Sequence, residues 1–133
     1  MDELLRALSE WLLFFFDPPG YRLADSEVSP SFGDASVTLE GEDLVWRLVR
    51  DRSQLFLECR PSDGPTDRWY STDLLIQLLE GQRVETAELD AETAGWVGRH
   101  LTEIEARFRP AALPSTVNEL KELKRKRAKD LFG

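Results

Sequence analysis

Three segments of alternating polarity, joined by turns too short for a crossover, constrain this chain more than any other feature. Ala35, Val37 and Leu39 alternate with Ser36, Thr38 and Glu40, the period-two pattern of a strand with one buried face. Glu40-Gly41-Glu42-Asp43 reads as a turn, followed by Leu44, Trp46 and Leu48 on one face and Val45, Arg47 and Val49 on the other. Arg50-Asp51-Arg52-Ser53 turns the chain again into Leu55, Leu57 and Cys59, opposite Phe56, Glu58 and Arg60. Parallel pairing needs a long crossover, so the pattern predicts an antiparallel meander, apolar inside and charged outside. Tyr21, Leu23 and Val28 extend the sheet at its start, for three to four strands in all. On the wet face, Glu58 is expected to form a cross-strand ion pair with Arg47.

Helical patterns flank the meander. Leu4, Leu5, Leu8, Trp11, Leu12, Phe15 and Phe16 recur at helical spacing behind an Asp2 cap, and Asp17-Pro18-Pro19-Gly20 stops the helix. Leu13 and Phe14 make its end apolar nearly all round, so that end needs cover on more than one side. A loop of turn formers, Pro61 to Asp67, precedes a second helix capped by Ser71 or Thr72 and closed by Gly81. A short edge strand is read over Arg83 to Thr86. Asp90 caps a third helix through about Phe108, with Ala94, Val97, Leu101, Ile104 and Phe108 as its inner stripe. Pro110 and Pro114 bracket a linker, and Ser115 caps a last helix. The expected fold is α+β: an N-terminal helix, an antiparallel β-meander of three to four strands, then three helices packed on one sheet face. Residues 1–114 are read as the domain and 115–133 as a basic C-terminal helical tail.

A chain of 133 residues, 41% hydrophobic, fits one domain with a real core. Its charge is unevenly placed. Residues 1–114 carry 11 Arg and no Lys against 22 Asp and Glu, a surplus of eleven negative charges; residues 115–133 carry six cations against three acids. Such a body repels polyanions, so nucleic acid is not expected as the main ligand, whereas a basic protein is steered toward it. The plainer reading of the same surplus is solubility. No apolar run is long enough to span a membrane. The N-terminus lacks the basic start and cleavage site of a signal peptide, so the cytoplasm is the expected compartment.

Catalytic and cofactor motifs are absent from the pattern. The eight glycines are scattered singly rather than clustered as a phosphate loop. One Cys and one His fall short of a zinc site. Asp63 and Asp67 lack the spacing of a calcium loop. His100 falls three residues before Glu103 and four after Trp96, neighbours on a helix with no nucleophile to serve. Cys59 shares the face of Leu55 and Leu57 and should be buried and inert. No catalytic residue, metal or cofactor is therefore expected. Trp69 and Tyr70, beside Asp67 and Arg68, either staple the start of the second helix to the sheet or anchor an interface.

The leading helix Asp2–Phe16, the charged-turn meander, Trp69-Tyr70-Ser71-Thr72-Asp73-Leu74-Leu75 and Leu78-Leu79-Glu80-Gly81 resemble small acidic bacterial proteins of the toxin-immunity kind in layout. That resemblance implies a non-catalytic protein that binds a basic toxin and blocks it. The layout is also similar to dimeric type III secretion chaperones, from which it departs after Gly81, where a clear pair of strands should come. A small enzyme using carboxylates near His100 is the third alternative. On the binding reading, the expected contact residues are Glu40, Glu42, Asp43, Asp63, Asp67, Trp69 and Tyr70. The partner is a basic protein, with a homodimer as the chaperone alternative.

Overall fold

The computed structural model describes residues 2–17, 20–29, 34–63, 68–84 and 88–132. The alternating segments form β2 (Asp34–Glu40), β3 (Leu44–Asp51) and β4 (Gln54–Pro61), preceded by β1 (Arg22–Ser29). Each pairs antiparallel with the next, and a two-residue strand β5 (Tyr70–Ser71) adds to β4. The sheet order is therefore β1-β2-β3-β4-β5. Around it stand α1 (Asp2–Trp11), α2 (Thr72–Glu80), α3 (Ala91–Arg107) and α4 (Leu113–Phe132). This is the expected α+β arrangement, with the three later helices packed on one face, but the sheet has five strands rather than three to four because Tyr70–Ser71, ahead of α2, pair with β4. The β3–β4 turn is made by Arg52 and Ser53, both left-handed at φ of 50° and 74°, which matches the twist of a two-residue hairpin.

Register builds the core. Trp46 lies opposite Leu39 on one side and Cys59 on the other, and Leu48 lies opposite Val37 and Leu57. All six are buried, so the inner face is a continuous apolar sheet. Phe15 packs on Trp46 with ring centroids 5.3 Å apart, and Tyr21 meets Phe15 edge-on at 5.2 Å. Leu4 and Leu8 from α1, Ala94, Val97 and Ile104 from α3 and Leu120 from α4 complete the core.

The first helix is shorter than its periodicity suggests. Regular α-helix ends at Trp11, Leu12 leaves it, and Leu13–Phe16 wind as a 3₁₀ turn. The tighter winding brings Leu12 and Phe15 both fully into the core. It also leaves Leu13 59% and Phe16 43% exposed, so the cover expected for an all-round apolar end is only partly supplied by this chain. β1 is likewise more exposed than a half-buried strand. Leu23 is 56% exposed, and the pairing with β2 shifts register between Leu23 and Asp25, an irregularity typical of sheet edges.

Helix ends largely follow their sequence signals. Asp90 caps α3 by accepting the Thr93 amide at 2.8 Å, and Gly81 closes α2 in the left-handed conformation. Ser71 occupies the α2 cap position without a side-chain bond, while Thr72 donates to the Leu57 carbonyl and ties α2 to β4. α4 starts at Leu113, two residues ahead of Ser115, because Pro114 fits a first helical turn, where its missing amide costs nothing. The edge strand read over Arg83 to Thr86 is not seen at Arg83 and Val84, and the remainder lies outside the described residues. Instead Glu88 bridges to Phe56 and the Leu89 amide donates to the Leu55 carbonyl at 2.7 Å.

The basic C-terminal segment is built into the molecule. Thr116 and Leu120 are fully buried, and Thr116 donates to the Arg107 carbonyl at 2.6 Å. Farther along α4, Arg127 binds Asp73 at 2.6 Å and Gln77 at 2.8 Å on α2. On the opposite face of the sheet, Arg47 donates to Glu58 at 2.8 Å, directly across the β3–β4 pair, as the strand pattern predicts.

Candidate functional site

A cleft opens at one end of the sheet, where the 3₁₀ turn, the β2–β3 turn and the last turns of α3 meet. Its walls follow from local chain geometry. The Asp17 amide closes the 3₁₀ turn on the Phe14 carbonyl, and Gly20, at a φ of +72°, sends the chain back so that the Tyr21 amide meets the Phe15 carbonyl at 2.7 Å. The Tyr21 ring then lies flat against Gly41, where any Cβ would overlap it. Gly41 donates to the Leu44 carbonyl at 2.9 Å, and this tight turn holds Glu42 and Asp43 at the rim. From α3 come Gly98, Thr102 and Glu105, whose spacing of four and three residues puts them on one helical face.

The cavity so formed has a volume of about 490 Å³. Among the described residues four carboxylates line it, Asp17, Glu42, Asp43 and Glu105, with Arg109 as the one cation and Phe14, Phe15 and Tyr21 as its rings. Arg109 contacts Asp43 at 3.5 Å through Nε while its own side chain stays 57% exposed. The Tyr21 hydroxyl donates to Glu105 at 2.6 Å. Burial, reinforced by this bond, pushes the phenol far above its ordinary range, so Tyr21 is a neutral donor at any physiological pH. A second hollow of about 180 Å³ shares Glu42 and Asp43 and adds Asp63. Asp63 is placed there because the Ser62 amide donates to the Asp43 carbonyl at 3.0 Å.

The expected contact residues thus divide. Glu42, Asp43 and Asp63 come together at this end. Glu40 stands beside them in sequence but is bound to Arg22 at 2.7 Å. Asp67 lies outside the described residues. Trp69 is half-buried on the outer sheet face, with the guanidinium carbons of Arg47 and Arg60 at 4.2 and 5.2 Å from its ring centroid. Tyr70 is only 4% exposed, its ring 6.0 Å from Phe108 with Lys124 above it, so it serves the core rather than a contact surface. Asp17, Tyr21, Glu105 and Arg109 are the residues that the sequence pattern does not single out. Their one sequence trace is the small-residue stripe Gly98–Thr102 on α3.

His100 points elsewhere. It lies on the far side of α3 from Gly98, Thr102 and Glu105, stacked on Trp96 at 4.4 Å. Its Nδ1 is 2.8 Å from the Trp96 carbonyl, which can only accept, so Nδ1 carries the proton. Trp96 in turn donates to Glu80 at 2.7 Å. Cys59 is wholly buried, and burial pushes its thiol well up, so no thiolate forms near neutral pH. Among the described residues no three carboxylate, imidazole or thiol groups lie close enough to share a metal ion. What the cleft can do chemically is hold a positive charge between carboxylates and ring faces. Comparison with protein-family models, with curated proteins and with solved structures returns no match for this chain.

Proposed function

We propose that this α+β protein is a non-catalytic binding module that receives a basic protein partner at the acidic end of its sheet. One observation carries the reading. Among the described residues Asp17, Glu42 and Asp63 form no ion pair; Glu42 lines both hollows, with Asp17 on the larger and Asp63 on the smaller. Elsewhere among the described residues Glu3, Glu40, Glu58, Asp73 and Glu119 each bind an arginine, whereas Glu10, Glu27, Glu92 and Glu103 form no ion pair. Neutralisation of a basic toxin, in the manner of an immunity protein, is the form of this activity that the layout suggests.

Photo-crosslinking side chains at positions 42 and 63, compared with position 121 on α4, test the proposal in the native host. Adducts at 42 and 63 with a basic protein, lost in Glu42→Lys, support it. Adducts with acidic proteins, or equal yields at 121, overturn it. The second reading, a chaperone-type homodimer, draws on the exposed apolar residues Leu5, Leu13 and Phe16 of the first helical segment. A strictly monomeric sedimentation profile would remove that reading.

A further inference from the structure

Resting on the basic-partner reading, we propose that the 490 Å³ cleft is a guanidinium subsite, bordered in the free protein by the chain's own Arg109, whose contact with Asp43 an arginine of the partner replaces. Several observations converge on this ligand. A guanidinium already lines the cleft, in contact with Asp43. Its fit is poor: one contact through Nε, 3.5 Å long, made by a side chain more than half in solvent. A guanidinium entering from outside is free to offer its two-pronged edge to a carboxylate, the stronger geometry. Asp43, with its side chain only 22% exposed, is the natural acceptor, and Glu42 stands beside it.

The walls favour a flat, weakly hydrated cation over a compact one. Phe14 lines the cleft with ring carbon against which a guanidinium packs while its edge bonds the carboxylates, whereas an ammonium is held as a point charge and keeps more of its water. The carboxylates ring the cavity without converging in threes, which suits an extended cation better than a metal ion. The volume lies within the usual range for pockets that take a small ligand or a single inserted group. Arg109 comes from the turn after α3 and is not part of the core, so its departure does not disturb the fold.

Amide-detected NMR titration of the full chain with argininamide, at low and constant ionic strength, tests the subsite without any protein partner. Saturable shifts are expected at Gly20, Gly41, Gly98 and Thr102, with weaker shifts for lysinamide. Arg109→Ala is expected to tighten argininamide binding about two- to fivefold, since it removes a competing exposed ion pair. Asp43→Asn is expected to weaken it by a similar or larger factor. Arg109→Gln repeats the test should the alanine variant unfold. Affinity unchanged or weakened in the Arg109 variants, equal response to lysinamide, or non-saturating shifts overturn the subsite. A saturable subsite without crosslinked basic partners would sink the functional reading alone; basic partners without a subsite would sink only this inference.

Discussion

Tyr21 joins parts of the chain that no local pattern connects. Its hydroxyl reaches Glu105 across 84 positions, while its ring contacts Phe15 and fills the space that Gly41 leaves. Tyr21→Phe removes one part-buried charge-assisted bond and should cost about 1–2 kcal/mol in urea unfolding. It should also change the alkaline limb. The unfolded chain releases the phenol proton near pH 10, while the folded one retains it to higher pH. Stability is therefore complete below that point and falls as pH rises above it. The buried Cys59 thiol is raised too, which starts the decline near pH 9. Melting temperature against pH should fall less steeply above pH 10 in Tyr21→Phe, and an unchanged slope refutes the assignment. Asp90 works in the other direction, since the Thr93 amide holds its carboxyl below the ordinary range. Asp90→Ala should cost about 1 kcal/mol at neutral pH. That difference is present above the usual carboxylate pKa and disappears as pH falls through the depressed one.

At the scale of elements, α4 is where sequence and structure part most usefully. Its charge marks it as a tail, yet its contacts are those of a core helix. Arg127, with its side chain 19% exposed, meets Asp73, at 10%, across 54 positions. Arg127→Ala leaves a buried carboxylate without its cation and should cost about 2–4 kcal/mol. Adding Asp73→Asn should recover part of that loss, and hydrogen exchange along residues 120–130 should accelerate in the single variant and less in the double. Strictly additive losses would show that the pair is not coupled. Much of the fold was legible in the sequence because alternation and short turns leave few options: the β2–β4 meander, the Arg47–Glu58 pair and the Asp90 cap all follow from spacing alone. What stayed hidden depends on long-range contact. Leu12 leaves the helix because the core admits both it and Phe15, and no periodicity within residues 2–16 records that. The cleft was half legible. Glu42, Asp43 and Asp63 stand in turns, where charge is visible, but Tyr21, Glu105 and Arg109 gain their places only when the sheet end and α3 meet. Of the two roles open to Tyr70, staple and interface anchor, its burial fits the staple, and the two-residue strand that draws it inward is too short to leave a pattern.

Over the whole molecule, every lysine lies on α4, whereas Glu42 and Asp63, which form no ion pair among the described residues, stand beside its start. α4 begins beside the acidic hollow, where Leu113 and Pro114 line it, and then runs away from it. At 1.5 Å per residue, Lys126 and Lys129 lie about 20–24 Å along the helix from that start. Exposed charges separated by much more than the screening length of about 8 Å at physiological salt hardly sense each other. On the basic-partner proposal, the cations at the far end of α4 therefore screen Glu42 and Asp63 little. This makes the association rate, rather than stability, the property that should respond to these two carboxylates. With the crosslinked partner purified, Glu42→Lys combined with Asp63→Lys should lower the association rate constant about tenfold or more at low salt. The same change should move unfolding free energy by no more than about 0.5 kcal/mol, since both residues lie in turns and carry no ion pair. Lys126→Glu, toward the far end of α4, should leave the rate within about twofold of wild type. Raising salt to about 0.5 M should bring all three proteins toward a common rate, because screening removes what distinguishes them. A rate that ignores salt, or that falls equally for reversals at both ends of α4, would mean that the partner reads something other than Glu42 and Asp63.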